Sequence, residues 1–497
     1  MTALYIFLVI LAVLLLLFAV LALNAVRAKQ RGRRLAPQPD YYSEAELAQH
    51  AERLAQMIRC ETVSCRESFD DTEFKKLRDT VRELFPLFHE KAQFMTFSYD
   101  CWVYKLPGKD QSRNMMVMSH HDVVAGTGEW KHPPFAAEIA DGKLWGRGTV
   151  DTKIYLRVLH RNPSDAKTPL FAEFTAFEEL LGEGFEPPCN LWLASSHNEE
   201  IGGDGIPLAL EYFKKQGIEF ELILDEGGAV IAAPMPGISC KCAMLAVHEK
   251  GRHLLKCPAE EGASHTGLAP KTDTPVVRMA KFIAEVSEKK PFIRRIYPQV
   301  RAMFEGLCPY MAFPMRLIFA NLWLFAPLLK TLMPKINPMA GAMLGTMCSF
   351  NTINGGKYGS VQAKTVEAGA YLRCIDDKDL AQDIAAFRTI AEKYGVEVTD
   401  GEGNEYHAPA DLGKPAYDYV RECVADVFPH VACAPFILPA GTDARWLTDV
   451  CQCVIRFAPI DIDPQQFASV HSPDENIDIK AVGNAIAFYK RLLREYH

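Results

Sequence analysis

Ser195-Ser196-His197-Asn198-Glu199-Glu200-Ile201-Gly202-Gly203 is the stretch from which the rest of the chain is read. The apolar run 190–194 before it has the length of a buried strand, and it delivers two adjacent carboxylates, Glu199 and Glu200, and then a glycine pair. Side chains that follow a strand leave it in different directions. Neighbouring glutamates can therefore divide a reaction, one holding a metal ion while the other moves a proton. A lone Glu-Glu is ordinarily a solvated turn, so the choice rests on what the other strands deliver.

Two further strands end in the same way. Residues 114–118 run into Ser119-His120-His121-Asp122, where His120 and Asp122 fall on one face. An imidazole and a carboxylate so placed at a strand's carboxyl end suit a metal ligand and the acid that orients it through its other ring nitrogen. Residues 220–224 end on Asp225-Glu226-Gly227-Gly228. The glycine-punctuated turn Gly146-Arg147-Gly148-Thr149-Val150-Asp151-Thr152-Lys153 supplies another carboxylate, and His471-Ser472-Pro473-Asp474-Glu475 follows the strand 453–458.

A length of 497 residues predicts two or three domains. A net charge of -8 gives no reason to expect a nucleic-acid partner. The fourteen cysteines form neither CxxC pairs nor a short secreted framework, which predicts buried thiols in a reducing compartment. Residues 4–26 read as a single-pass transmembrane helix, against the competing reading of a cleaved signal peptide, whose apolar stretch is usually only about 7–15 residues and follows a basic one. The apolar run is long enough to cross a bilayer, and Arg27, Lys29, Arg31, Arg33 and Arg34 follow it. That basic flank, with none before the run, favours a cytoplasmic over an extracytoplasmic body. Ser43 reads as the N-cap of a helix that runs through Ile58.

Residues 243–402 change texture. Strand 245–257, helix 274–287, paired strands within 358–375, helix 380–393 and strand 396–399 make a βαββαβ order. Within it, 317–333 is strongly apolar but shorter than a span and broken by Pro327, so it reads as a lipid-facing or substrate-facing helix, or equally as a core helix. The catalytic texture occupies 41–242 and returns over 403–497.

With these motifs in this order, the chain resembles the co-catalytic zinc metallopeptidases of the aminoacylase and carboxypeptidase S type, including the N-fatty-acyl-amino-acid hydrolases. GRGTVDTK, NEEIGG, LDEGG, SHTG and GTDAR carry the likeness, which runs from about Tyr41 to the C-terminus. It implies an α/β catalytic domain with a mainly parallel sheet, interrupted by a ferredoxin-like lid through which the chain forms a homodimer. It implies two Zn2+ per chain, held by His120, Asp151, Glu200, Asp225 and His471, with Asp151 bridging. Asp122 would orient His120, and Glu199 would be the general base. His265 would stabilise the oxyanion in the partner's site, and Arg373 would fork onto the substrate's carboxylate. The implied reaction is hydrolysis of an amide or peptide bond beside a free carboxylate, in a small peptide or an N-acyl amino acid. Relatives of this kind reach a vacuole or the cell exterior, against the charge argument.

Two features depart from the pattern. Ser360-Val361-Gln362-Ala363 stands where relatives carry Asn-Val-x-Pro, and roughly fourteen extra residues, 154–167, follow Lys153. Beside the enzyme stands a second reading, a catalytically inactive membrane-anchored binding protein on the same fold, disabled by that insertion.

Overall fold

The structure is a computed structural model, and it describes residues 2–66, 68–150, 167–260, 273–336, 338–356 and 361–496. They fall into two compact units. One comprises Met1–His248, Arg301–Phe325 and Ala408–His497, the other Glu249–Val300 and Ala326–His407. Residues 301–325, which the sequence reading placed inside 243–402, group with the first unit.

The first unit is built on one large sheet. Its strands lie in the spatial order Gln93–Phe97, Cys101–Leu106, Cys189–Ser195, Asp110–Met118, Leu222–Asp225, Val454–Arg456, Cys242–Glu249, Ala432–Leu438. The central strands pair in parallel, Met115 lying opposite Leu191, Val117 opposite Leu224, and Ile455 also opposite Leu224. On the flanks, Cys101–Leu106 and Cys242–Glu249 run antiparallel to their inner neighbours. The expected mainly parallel sheet is thus a mixed one. Parallel neighbours require a long crossover, whereas the edge strand Gln93–Phe97 returns through the short turn 98–100 and can pair only antiparallel. The central strands are apolar without alternation, and Cys189–Ser195 is buried along its whole length, as for a strand covered on both faces.

The helix Lys167–Gly182 is apolar on all sides and buried over 167–177. Phe174 stacks on Phe85 with centroids 5.2 Å apart, and Phe177 meets Phe88 at 4.7 Å. Against it lie Ile479–Arg494 and Glu44–Ile58. The latter starts at Ser43, as its sequence requires, in a capping box with Glu46.

A small three-stranded sheet, Asn476–Asp478, Lys143–Trp145 and Glu138–Ala140, brings residue 475 over the loop 146–150. There the fully buried Arg147 donates from Nη1 to Glu475 Oε2 at 2.7 Å, and Glu475 Oε1 accepts the backbone N–H of Gly148 (3.1 Å) and Val150 (2.9 Å).

The N-terminal helix, Thr2–Gln30, is long and apolar enough to cross a membrane by length and composition. It is buried only at Leu21 and Ala25, where it meets the helix Phe313–Phe319. Asn24 Nδ2 donates to Asn321 Oδ1 (2.8 Å), and Asn321 Nδ2 donates back to the Leu21 carbonyl (3.1 Å). Beyond the helix, the Arg33 guanidinium donates to the carbonyls of Ala425, Phe428 and Val431. The apolar segment 317–333 is not interrupted at Pro327, which sits within the helix Leu322–Ile336. The chain turns by 101° just before that helix, at Asn321, whose Nδ2 also donates to the Leu317 carbonyl and so satisfies the end of the first helix.

In the second unit the strands order as Met347–Asn354, Thr365–Cys374, Gly251–Glu260, Thr399–Asp400. The helices Pro275–Lys289 and Asp377–Lys393 contribute Phe282 and Phe387 to a core shared with Leu255, Ala368 and Leu372. The strand-helix-strand-strand-helix-strand order is present in this unit, but with other bounds: the expected strand 245–257 is divided between Cys242–Glu249 and Gly251–Glu260, the paired strands are Met347–Asn354 and Thr365–Cys374 rather than both near 358–375, and the last strand is the short Thr399–Asp400.

Removing one member of a buried ion pair strands the other charge and costs about 3–5 kcal/mol. Arg147→Met should lower the unfolding free energy in urea by that amount, and a loss below about 1 kcal/mol would show that Glu475 is held by the backbone donors alone.

Candidate metal centre

Three strands of the large sheet end at one place. His120, just beyond Asp110–Met118, is 1% exposed, and Glu199 and Glu200 follow Cys189–Ser195. Ligand atoms of His120, Glu199 and Glu200 all lie within 4.8 Å of one another. His120 Nδ1 is 3.0 Å from the Asp122 carbonyl oxygen and 3.2 Å from Asp122 Oδ1. Both are acceptors, so Nδ1 carries the proton and Nε2 presents its lone pair toward Glu199, whose Oε2 is 4.0 Å away.

The buried Asp122 carboxylate joins the strand ends. Its Oδ1 accepts the N–H of Glu199 (3.2 Å) and its Oδ2 that of Glu200 (3.1 Å). Burial alone would raise this carboxyl, but hydrogen bonds from His120 and the Ser64 hydroxyl bring it down to about 2. His121, on the opposite side of the chain, stacks on Trp102 at 4.0 Å, bonds Ser195 Oγ at 2.8 Å and has Nε2 3.7 Å from Asp100 Oδ2. His197 lies edge-on to Phe69 and Phe74; burial first, and His121 second, pull it down to about 4, so it is neutral at ordinary pH.

The two glycines after the glutamates answer different needs: Gly202 lies in the left-handed region at φ 67°, and Gly203 is tightly approached. A Cβ on Gly203 would fall 2.0 Å from the Asn198 side chain. At the end of Leu222–Asp225, a Cβ on Gly228 would fall 2.1 Å from the Met244 carbonyl oxygen, so only glycine lets the two chains approach.

Asp225, 1% exposed, accepts the Ala444 N–H at Oδ2 (3.0 Å). His471 approaches from the C-terminal segment with Nε2 3.3 Å from Glu200 Oε1, and its backbone is held in the left-handed region at φ 56°. Asp151, His265 and residues 154–166 of the insertion lie outside the described residues, as does Ser360; Lys167 opens the central helix and donates to the Cys60 carbonyl at 2.6 Å. Arg373 is in the second unit, on Thr365–Cys374 opposite Arg252. In that unit Lys250 donates to the carbonyls of Ala342 and Gly345, and burial, with Arg373 adding to it, pulls its ammonium down to about 7.

The donor set fits a cation. Buried carboxylates around neutral imidazoles repel one another unless positive charge sits among them. Imidazole nitrogen and carboxylate oxygen are the donors that zinc and similar divalent metals take in catalytic sites.

The sequence reading quoted the motifs of Asp443 and Glu475 without giving either residue a role, and it passed over Glu173. Asp443 accepts the Ser196 hydroxyl beside the glutamates, and Glu475 holds the loop that leads to Asp151. Glu173 accepts the Ser119 hydroxyl at 2.9 Å; burial, with Glu226 adding to it, raises its carboxyl well above the usual range. A single acid in the otherwise apolar run Pro169-Leu170-Phe171-Ala172-Glu173-Phe174 was the available signal for the last.

Comparison with known proteins agrees with the geometry. The model of peptidase family M20/M25/M40 matches residues 116–159 and 163–495. The chain is 26% identical over 463 residues to a probable carboxypeptidase S-like 2 of Dictyostelium discoideum, covering 91% of this chain and 85% of that protein. It is 25% identical over 496 residues to the N-fatty-acyl-amino acid synthase/hydrolase PM20D1 of Homo sapiens, covering 97% and 95%. Among solved structures, an M20 family metallo-carboxypeptidase from Sulfolobus solfataricus shares the fold with a TM-score of 0.62 at 18% identity, over 90% of this chain and 98% of that one. A dinuclear metal-binding M20 peptidase of Bacillus subtilis superposes with a TM-score of 0.54 at 11% identity, over 90% and 98%. The chain belongs to peptidase family M20/M25/M40 and is by class a hydrolytic enzyme of the metallopeptidase and amidohydrolase kind.

Proposed function

We propose that this chain is a membrane-anchored zinc amidohydrolase that cleaves the amide bond of an N-acyl amino acid or a small peptide beside a free carboxylate. The observation that carries this is the Asp122 clamp, which holds His120, Glu199 and Glu200 within one small buried volume. The names of the relatives, a carboxypeptidase S-like protein and an N-fatty-acyl-amino acid synthase/hydrolase, supply the two substrate classes.

In this reading His120, Asp151, Glu200, Asp225 and His471 would hold two zinc ions. Zinc, when bound, would acidify the attacking water and polarise the scissile carbonyl. Glu199, which is not a ligand, takes the proton from that water and hands it to the leaving nitrogen. Asp122 fixes the His120 tautomer so that Nε2 faces the metal, and its hold on the Glu199 and Glu200 amides sets where both carboxylates stand. His265 offers its ring to the oxyanion across a homodimer formed through the second unit, and Arg373 takes the substrate's carboxylate. The N-terminal helix is retained as an anchor, and its basic flank sets the body on the cytoplasmic side.

Glu199→Gln should retain both metal ions by elemental analysis and lose at least about 10²–10⁴-fold in turnover, the usual contribution of general-base assistance. Near-full turnover would remove Glu199 from the mechanism, and loss of metal would make it a ligand instead. Deleting 154–166 should leave the zinc content at two per chain and activity equal or higher; an intact chain that binds less than two and cleaves neither substrate class would make the protein a binding module. Protease added outside intact cells should leave the body undigested, and digestion while a cytoplasmic marker survives would reverse the orientation.

A further inference from the structure

The apolar segment 313–336 is used by neither the sheet nor the metal centre. Its second helix, Leu322–Ile336, leaves large apolar side chains in solvent: Trp323 is 61% exposed, Leu324 37%, Leu328 56%, Leu332 42% and Ile336 71%. Leu324, Leu328, Leu332 and Ile336 are spaced four residues apart and so form one face of the helix. Exposed contiguous apolar surface of this kind marks a partner.

Two observations identify that partner as a lipid bilayer. The first is position. Residues 4–23 of the N-terminal helix span about 30 Å at 1.5 Å per residue, the thickness of a bilayer's hydrocarbon core. The surface of that bilayer on the body side therefore falls at Asn24, the residue hydrogen-bonded to Asn321 at the turn between Phe313–Phe319 and Leu322–Ile336. Trp323 follows two residues later, and its indole N–H lies 3.3 Å from Asn321 Oδ1. Tryptophan with an exposed ring and a satisfied N–H is the side chain most at home at that depth.

The second observation is charge. No Asp or Glu occurs between Glu305 and Glu367, whereas Arg316, Lys330, Lys335, Lys357 and Lys364 do, in a chain whose net charge is -8. At the foot of the N-terminal helix, Arg27, Lys29, Arg31 and Arg34 are exposed. The exposed cations at the foot of the N-terminal helix suit the negative surface of a membrane. An aqueous protein partner gives no reason for the acids to be missing.

We infer that Trp323 and Leu324, exposed side by side at the start of the helix Leu322–Ile336, lie in the interfacial layer of the bilayer that the N-terminal helix crosses, so that the body is held to the membrane at two places. This rests on the reading of Thr2–Gln30 as a retained anchor. The full chain, reconstituted into vesicles of phosphatidylcholine and phosphatidylserine with brominated acyl chains, tests the two separately. The N-terminal helix contains no tryptophan, and Trp323 is one of six in the chain, so contact with lipid should quench about one sixth of the tryptophan emission. Trp323→Phe should float with the vesicles as the wild type does and show no quenching. Leu324→Glu should also float and show reduced quenching of Trp323. A wild-type chain that floats unquenched overturns the second contact while keeping the anchor, and one that does not float overturns the anchor and the inference with it. Quenching that persists in Trp323→Phe assigns it to another tryptophan and overturns the inference. So does an unquenched Trp323 in chains that cross-link to one another through Leu328→Cys, which would give the face to a second copy.

Discussion

One carboxylate, that of Asp122, holds the ends of two strands in register. It takes the Nδ1 proton of His120 from its own strand and the backbone N–H groups of Glu199 and Glu200 from the next. Without it the amides would be buried without acceptors, and the imidazole would lose the acceptor that fixes its tautomer. The sheet supplies the closeness, since Asp110–Met118 and Cys189–Ser195 are parallel neighbours whose carboxyl ends coincide. The positions of the reactive groups thus follow from strand register together with one anion.

Around that centre the protein uses its few buried charges as ties between distant segments. Glu475 binds the loop 146–150, Asp443 binds Ser196, and the Ala444 amide binds Asp225. Each tie joins residues far apart in the chain. Each is nearly or wholly excluded from water, so the cost of leaving it unmade is high.

What could be read from the sequence was local. The Ser43 cap, the strands that end on His120, Glu199 and Asp225, and the βαββαβ succession are each encoded within a few neighbouring residues, by hydrophobic runs, capping chemistry and glycines. What could not be read depends on remote partners. The antiparallel flanks of the sheet are set by which strand Cys242–Glu249 meets, and that neighbour, Val454–Arg456, is some two hundred residues away. Pro327 looked like the break in the apolar segment, but Asn321 makes the turn, because its amide can serve the first helix and the N-terminal helix at once. Glu173 and the Arg147–Glu475 pair look like surface charges until their burial is known. Asp151 and His265 stand outside the described residues, so their placement rests on motif likeness alone.

The strand Val454–Arg456 lies in the middle of the large sheet, between Leu222–Asp225 and Cys242–Glu249, although it is nearly the last strand to be synthesised. A ribosome that has delivered everything up to residue 450 has made both halves of the sheet but not the piece that joins them. His471 arrives later still. The nascent body therefore waits with an open seam, and Glu200 waits for the imidazole that reaches it, while the N-terminal helix has long since left the ribosome. Sheet closure is thus a late event, and a chain truncated before its last fifty residues lacks both the joining strand and His471.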